Sequence, residues 1–235
     1  MFMGFEVQRV HQLMQEIQQV CQRVQRNPKD ITVLAALKYA TLEQSNMLVS
    51  AGIQVVGENR IQDALKRFPH LLPCERHFIG SLQTNKVKSA VKLFRMIESL
   101  DRVELARAID QECEKFNKKM PVLVEVNVAN DPKKHGVRPS ETFEFVREIA
   151  KFWHLRIYGL MTIVPYFEDP EDARPYFRMM KSLFELCRRQ FKGFEVLSMG
   201  MSHDFKVAIE EGATEVRIGR FFLNEPNSRV LEGLF

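Results

Sequence analysis

Ile31-Thr-Val-Leu-Ala-Ala-Leu37 is a nearly continuous apolar run of strand length, and the segment from Lys38 to Val56 continues it with a helix and a second strand. A strand that is apolar at almost every position is buried on both faces, which is the signature of a parallel sheet. Thr41 is followed three residues later by Gln44, the pattern of a capping box, and Gly52 marks the expected end of that helix. Ile53-Gln-Val-Val56 then reads as the second strand and Gly57-Glu58-Asn59 as the turn after it. Together these make a βαβ unit.

The same alternation extends in both directions. Toward the N-terminus, Val7, Val10, Met14, Ile17, Cys21 and Val24 recur at spacings of three and four, an amphipathic helix stopped by Asn27-Pro28. Toward the C-terminus, His77–Gly80, Arg95–Glu98, Pro121–Val128, Leu155–Leu160, Phe194–Ser198 and Thr214–Ile218 read as strands three to eight. Helices are expected from Thr84, from Asp101, from a Ser140 cap through Trp153, and along the face of Phe177, Met180, Phe184, Cys187 and Phe191. A short one is expected from Ser202 to Glu211, closed by Gly212. Eight strands alternating with helices predict an α/β protein, a single (β/α)8 TIM barrel, with an extra N-terminal helix over residues 1–27 and one domain over residues 1–235. An open doubly wound sheet is the alternative, because strand count is easier to read than closure.

Composition narrows the function. With 45% hydrophobic and 27% charged residues the chain buries a full core without disulfides. The net charge of +4 is spread along the chain, and Lys86-Val-Lys88-Ser-Ala-Val-Lys92 reads as a solvated helix face, so nucleic acid is not an expected partner. No apolar run reaches the roughly 18 residues of a membrane span, and the charged, glutamine-rich start is unlike a signal peptide. Cys21, Cys74, Cys113 and Cys187 share no short spacing, which excludes CxxC chemistry and points to free thiols in the cytoplasm. The six histidines show no HExxH or i, i+4 pair, so no metal site is expected, and His77 reads as a hydrogen-bonded core residue. GxSxG, Walker and strand-linked GxGxxG motifs are absent from the sequence.

In parallel α/β folds the loops that carry chemistry converge at the C-terminal ends of the strands. Lys38 follows strand one, Glu58 and Asn59 strand two, Gly80 to Lys86 strand three, Met161-Thr162 strand six, Met199 to Ser202 strand seven, and Arg217 to Arg220 strand eight. Lys38 is either a desolvated amine able to attack a carbonyl or a lysine that snorkels to solvent. Gly200, Ser202 and Gly219 stand where barrels commonly hold a phosphate. Arg217, at the tail of a buried strand, needs a partner, either Glu58 or another carboxylate or a ligand atom. An amine, a guanidinium and a phosphate cup suit a flat, phosphorylated aldehyde.

Gly57-Glu58-Asn59 with Gln62, His77-Phe-Ile-Gly80, Leu82-Gln83 with Asn85-Lys86, Gly159-Leu160-Met161, Leu197-Ser198-Met199-Gly200-Met201-Ser202 with Asp204, and Val216-Arg217-Ile218-Gly219 resemble the pyridoxal phosphate homeostasis protein family. The matches run in order from about residue 30 to 220. The resemblance implies a barrel shared with the N-terminal domain of alanine racemase and pyridoxal 5′-phosphate (PLP) as cofactor, held as a Schiff base on Lys38. It implies Ser202 and the backbone N–H groups of Gly219 and Arg220 as phosphate ligands, Arg217 facing the pyridine nitrogen, and Asn59 and Met199 lining the pocket. It further implies a protein of intracellular PLP homeostasis without established turnover, with PLP-dependent apoenzymes as candidate recipients; a monomer is expected separately, because packing across the barrel satisfies the one apolar stripe of the N-terminal helix. The chain departs from the family pattern in Ala36-Leu37-Lys38-Tyr39, where Val-Ser usually precedes the lysine and Thr follows it. It departs again at Arg220, where a small residue or Thr is usual, and in Phe221-Phe222-Leu223-Asn224, which lacks the customary Gly. The alternatives are a PLP-dependent racemase or decarboxylase and a Schiff-base aldolase of sugar phosphates. Eight βα units are expected to use the whole length, leaving no second domain to supply the opposing proton donor that a racemase needs.

Overall fold

The apolar strands close on themselves. A computed structural model describes residues 5–223. Its strands are β1 (Thr32–Ala36), β2 (Val55–Glu58), β3 (Glu75–Phe78), β4 (Met96–Leu100), β5 (Met120–Val126), β6 (Leu155–Thr162), β7 (Val196–Met201) and β8 (Glu215–Ile218). All neighbours pair in parallel, and β1 pairs with both β2 and β8, so the sheet is a closed barrel rather than an open doubly wound one. The helices are α1 (Phe5–Arg23), α2 (Leu42–Ser50), α3 (Ile61–Arg67), α4 (Val87–Leu93), α5 (Val103–Lys115), α6 (Thr142–Ile149), α7 (Arg174–Gln190), α8 (Phe205–Glu210) and α9 (Arg220–Leu223).

Strand periodicity divides the core into two layers. Val33 and Ala35 of β1 pack outward into the large apolar cluster shared with the helices, while Leu34 and Ala36 pack inward with Val55 and Ile79. Met96, Leu123 and Met161 fill a second inward cluster. Of the predicted stripe of α1, Val10, Ile17 and Cys21 are buried, Val7 and Val24 are half-buried and Met14 stays 40% exposed; Leu13 and Val20, outside that stripe, complete the buried face. Just past this helix, Arg26 donates to the carbonyls of Ile209 (2.6 Å) and Ala213 (2.7 Å), which clamps it to the α8–β8 turn.

Several boundaries differ from the sequence reading. Gly57 and Glu58 lie within β2, not in a turn, and β3 starts at Glu75, so His77 is inside the strand rather than its first residue. Helix α3 escaped notice because only Ile61 and Ala64 are buried and Arg60 provides no side-chain cap. Helix α6 stops at Ile149 and leaves Trp153 exposed. Strand β7 runs on to Met201, and α8 begins only at Phe205. Ser202 is therefore not the helix cap. Asp204 occupies that position, and its Oδ1 accepts the Met201 N–H at 2.6 Å, turning the chain out of the strand. Asn224 and residues 1–4 of the predicted N-terminal helix lie outside the described residues.

Candidate functional site

The turn bearing Lys38 is built from both sides. The Leu37 N–H donates to the Gly57 carbonyl (2.9 Å) and the Ala40 N–H to the Leu37 carbonyl (3.0 Å). From α3, Arg67 reaches under this turn. Its Nη1 donates to the Ala40 carbonyl (2.7 Å) and Ser45 Oγ (2.8 Å), its Nη2 to the Leu37 carbonyl (3.2 Å), and its Nε to Glu58 Oε1 (2.7 Å). Burial pushes the Glu58 carboxyl above the usual carboxylate range, against the pull of the Arg67 guanidinium. Glu58 thus belongs to Arg67 and not to Arg217, which corrects one of the partners expected for that arginine. Lys38 itself is exposed rather than desolvated, with Nζ 4.7 Å from the Tyr39 ring centroid, because β1 ends two residues earlier.

On the neighbouring arc, Ser202 Oγ accepts the N–H groups of Gly219 and Phe221, each at 3.2 Å. The backbone donors gathered on the hydroxyl are thus those of Gly219 and Phe221, while the side chain of Arg220 is exposed. The two key glycines differ in kind. Gly200 has φ +93, and a Cβ there would lie 2.4 Å from Ala208 Cβ, so α8 itself requires the glycine. A Cβ on Gly219 would meet only the Ala36 carbonyl at 3.4 Å and Ala36 Cβ at 3.6 Å, ordinary contacts that leave the space above it open. Those contacts also place Gly219 against the strand that leads into Lys38.

The other expected residues divide. Asn59 is half-buried at the end of β2, and its carbonyl is packed where a Cβ on Gly80 would intrude to 2.2 Å. Met199 is fully buried in the large apolar cluster with Leu197, on the helix side of β7, so it backs the site instead of lining its mouth. Arg217 is buried inside the barrel, where Nη1 donates to Ser198 Oγ and Nη2 to the Thr162 carbonyl, both at 2.6 Å.

Two further features went unread in the sequence. Glu125 alternates with the outward Val124 and Val126 and so faces the interior above Leu123; burial and the nearby Asp101 push its carboxyl up to about 7, against the pull of Arg217. Beneath Arg217, His77 Nδ1 stands 2.7 Å from Glu98 Oε1. Burial alone would lower the His77 pKa, but hydrogen bonds to Glu75 and Glu98 raise it to about 10. Burial and the charge of Glu98 push Glu215 up to about 8. The available signal was a charged residue within an otherwise apolar strand, at Glu98, Glu125 and Glu215 alike.

His77 and Glu215 have the same linkage sign. Their stabilisation is complete below the unfolded values of 4.5 for Glu215 and 6.5 for His77, and it is lost as pH rises through about 8 and about 10 respectively. The protein without ligand is therefore expected to lose stability steadily between pH 7 and 10. Urea unfolding across that range checks it, and a His77→Asn chain should show a shallower slope.

The family model described as alanine racemase, N-terminal domain, matches residues 8–223. A pyridoxal phosphate homeostasis protein of Aquifex aeolicus is 43% identical over 224 residues, covering 93% of this chain and 97% of that one. A crystal structure of an unknown protein from Bifidobacterium adolescentis superposes with a TM-score of 0.87 at 26% identity, covering 93% of this chain and 94% of the other. PipY of Synechococcus elongatus, solved without PLP, superposes with a TM-score of 0.78 at 27% identity over 88% of this chain and 99% of PipY. PipY with PLP bound gives 0.76 at 24% identity over 89% of this chain and 100% of PipY, a likeness of fold.

Proposed function

Because the chain belongs to the pyridoxal phosphate homeostasis protein family, with a barrel of the alanine racemase N-terminal type, we propose that it binds PLP and serves its intracellular homeostasis without turning over a substrate. One observation carries the reading. The Ser202 hydroxyl and the N–H groups of Gly219 and Phe221 converge beside Ala36, two residues before the Lys38 amine. That donor set fits a phosphate, and the open space above Gly219 fits its close approach to the backbone.

When bound, the cofactor supplies a reactive aldehyde, a phosphate and a pyridine ring. On this reading Lys38 is the amine that would capture the aldehyde, and the Ser202 hydroxyl with the backbone N–H groups of Gly219 and Arg220 would anchor the phosphate, joined by that of Phe221, which like Gly219 reaches Ser202 Oγ. Arg217, held by Ser198 Oγ and the Thr162 carbonyl, would be the residue turned toward the ring nitrogen, where a guanidinium would disfavour its protonation and leave the ring a weak electron sink. Asn59, half-buried at the end of β2, would border the ring, and Met199, buried on the helix side of β7, would support the site from behind. This arrangement suits a carrier, and the name of the Aquifex relative states homeostasis rather than a reaction. The same reading takes the protein as a cytoplasmic monomer that hands PLP to apoenzymes. Among the described residues no helix is long and apolar enough to cross a membrane.

Titration of the purified protein with PLP, followed by visible absorbance, tests the proposal; a protein that stays colourless at saturating PLP contradicts it. Ser202→Ala is expected to weaken PLP binding by about 1.5–3 kcal/mol, the worth of a hydrogen bond to a charged group. Gly219→Ala is expected to change folding stability by less than about 0.5 kcal/mol, as for an unobstructed site, yet to weaken PLP binding more than Ser202→Ala does. Equilibrium binding and urea unfolding of the two variants give both numbers.

A further inference from the structure

Four strands send ionisable or hydroxyl side chains into the closed barrel below Arg217, and the proposed anchoring of PLP uses none of them. Ser198 Oγ lies 3.0 Å from Glu98 Oε2 and 2.6 Å from Glu215 Oε1, and it accepts from Arg217 Nη1 at 2.6 Å. All four of these residues are buried. A hydroxyl has one proton and cannot donate fully to two carboxylates. Two carboxylates packed around it resist ionising together, so one of them holds its proton to a higher pH. His77 determines which one keeps the charge. Its Nδ1 is 2.7 Å from Glu98 but 3.9 Å from Glu215, so Glu98 is the carboxylate and Glu215 carries the proton. With His77 and Arg217 positive and Glu98 negative, the cluster has one net positive charge while Glu215 is protonated and none once it ionises.

We propose that Glu215 and Ser198 are positioning residues for Arg217, and that the Glu215 proton is coupled to the binding of an anionic, ring-bearing ligand at the barrel mouth. The proposal rests on the reading of that mouth as a PLP site. The coupling has a definite sign. Ionised Glu215 adds a negative charge behind the guanidinium and competes for it, so an anionic ligand binds less tightly to the deprotonated cluster. By reciprocity, the ligand strengthens the hold on the proton.

The charged surroundings of Glu215 are few. His77 faces it from β3, with Glu75 on the other ring nitrogen, and Glu98 faces it from β4; Arg217 of β8 is joined to it through Ser198, and Glu125 of β5 and Asp204 at the cap of α8 act on Arg217. Strand β6 contributes the Thr162 carbonyl, and β1 and β2 contribute the apolar Leu34 and Val55. One ligand atom each from His77, Glu98 and Glu215 lies within 4.8 Å of the others, a spacing that could suit a cation. A His77 protonated on both ring nitrogens has no lone pair to give one.

The test uses 4-deoxypyridoxine 5′-phosphate, which keeps the ring and phosphate but has no aldehyde to react with a lysine. Its affinity is measured from pH 7 to 9 for wild type and Glu215→Gln, with calorimetry in two buffers of different ionisation enthalpy. Wild type should lose about fivefold more affinity than Glu215→Gln over this range and should take up a larger fraction of a proton on binding. Superimposable profiles overturn the proposal. In a Glu125→Gln background, which removes the other carboxyl raised to about 7, the infrared spectrum of the ligand-free protein at pH 7 should show a protonated-carboxyl band that adding Glu215→Gln removes; its absence in that background, or its survival after Glu215→Gln, also overturns it. Ser198→Ala, which cuts the link but keeps the carboxyl pair, should flatten the affinity profile and retain the band; an unflattened profile counts against Ser198. A stoichiometric divalent metal in the purified protein would overturn the assignment as well. If wild type binds neither PLP nor the analogue, the PLP reading fails and this proposal with it. If wild type binds PLP and the profiles coincide, only the coupling fails.

Discussion

Lys38→Ala is expected to abolish borohydride-resistant attachment of PLP while leaving reversible binding that is weaker by at least about tenfold, or 1.4 kcal/mol. The division follows from the geometry. The proposed phosphate donors Ser202, just after β7, Gly219, just after β8, and Phe221, in α9, do not depend on the lysine side chain. Lys38 lies in an exposed turn and makes no hydrogen bond to them, so its removal should leave the fold intact. Mass spectrometry after borohydride reduction, with equilibrium dialysis of the unreduced variant, separates covalent from reversible binding. A reduced adduct that survives in Lys38→Ala would move the amine elsewhere, with Lys86 the first residue to map.

Arg67→Ala is expected to have the largest effect on stability, a loss of about 3–5 kcal/mol, as when one partner of a buried ion pair is removed. Arg67 and Glu58 are 13% and 1% exposed at their side chains, and the pair is 2.7 Å apart. Its loss leaves Glu58 buried without its counter-charge, and the other Glu58 oxygen already has no partner. It also releases the carbonyls of Leu37 and Ala40, which flank the Lys38 turn. Both unfolding and PLP capture should therefore suffer. Arg67→Lys keeps the charge but cannot span four acceptors; it should recover part of the stability and little of the capture rate. Urea unfolding and the rate of absorbance change on mixing with PLP measure the two effects. An Arg67→Ala chain that captures PLP at the wild-type rate would show that the turn holds its shape unaided.

The barrel was legible because β1, β5 and β6 are nearly uniform apolar runs and the helices between them have clear faces. Helix α3 was not, since a two-residue buried face gives no period. The end of β7 was misplaced for another reason. Met199-Gly200-Met201 reads as a loop, but a glycine with φ +93 lets the strand continue past α8, and its register against β8 shifts there. At the site, Lys38, Ser202, Gly219 and Arg217 were legible as polar or glycine residues just where strands end. Arg67, Glu125 and the Glu98–Glu215 pair were not, because each acquires meaning only from a partner far along the chain. Glu98 and Glu215 are visible as charges in apolar strands, but only closure of the barrel brings them around Ser198. Met199 shows the converse: its place in the motif suggested the pocket, and strand periodicity turned it outward to the core.

The central claim is that this barrel holds PLP on Lys38 beside the Ser202–Gly219–Phe221 donors. It is tested most directly by incubating the purified protein with PLP, reducing with borohydride, digesting, and mapping the modified peptide by mass spectrometry. The account predicts one equivalent of cofactor on the peptide containing Leu37-Lys38-Tyr39. Substoichiometric label scattered over several lysines, or one equivalent on a different lysine, would contradict it.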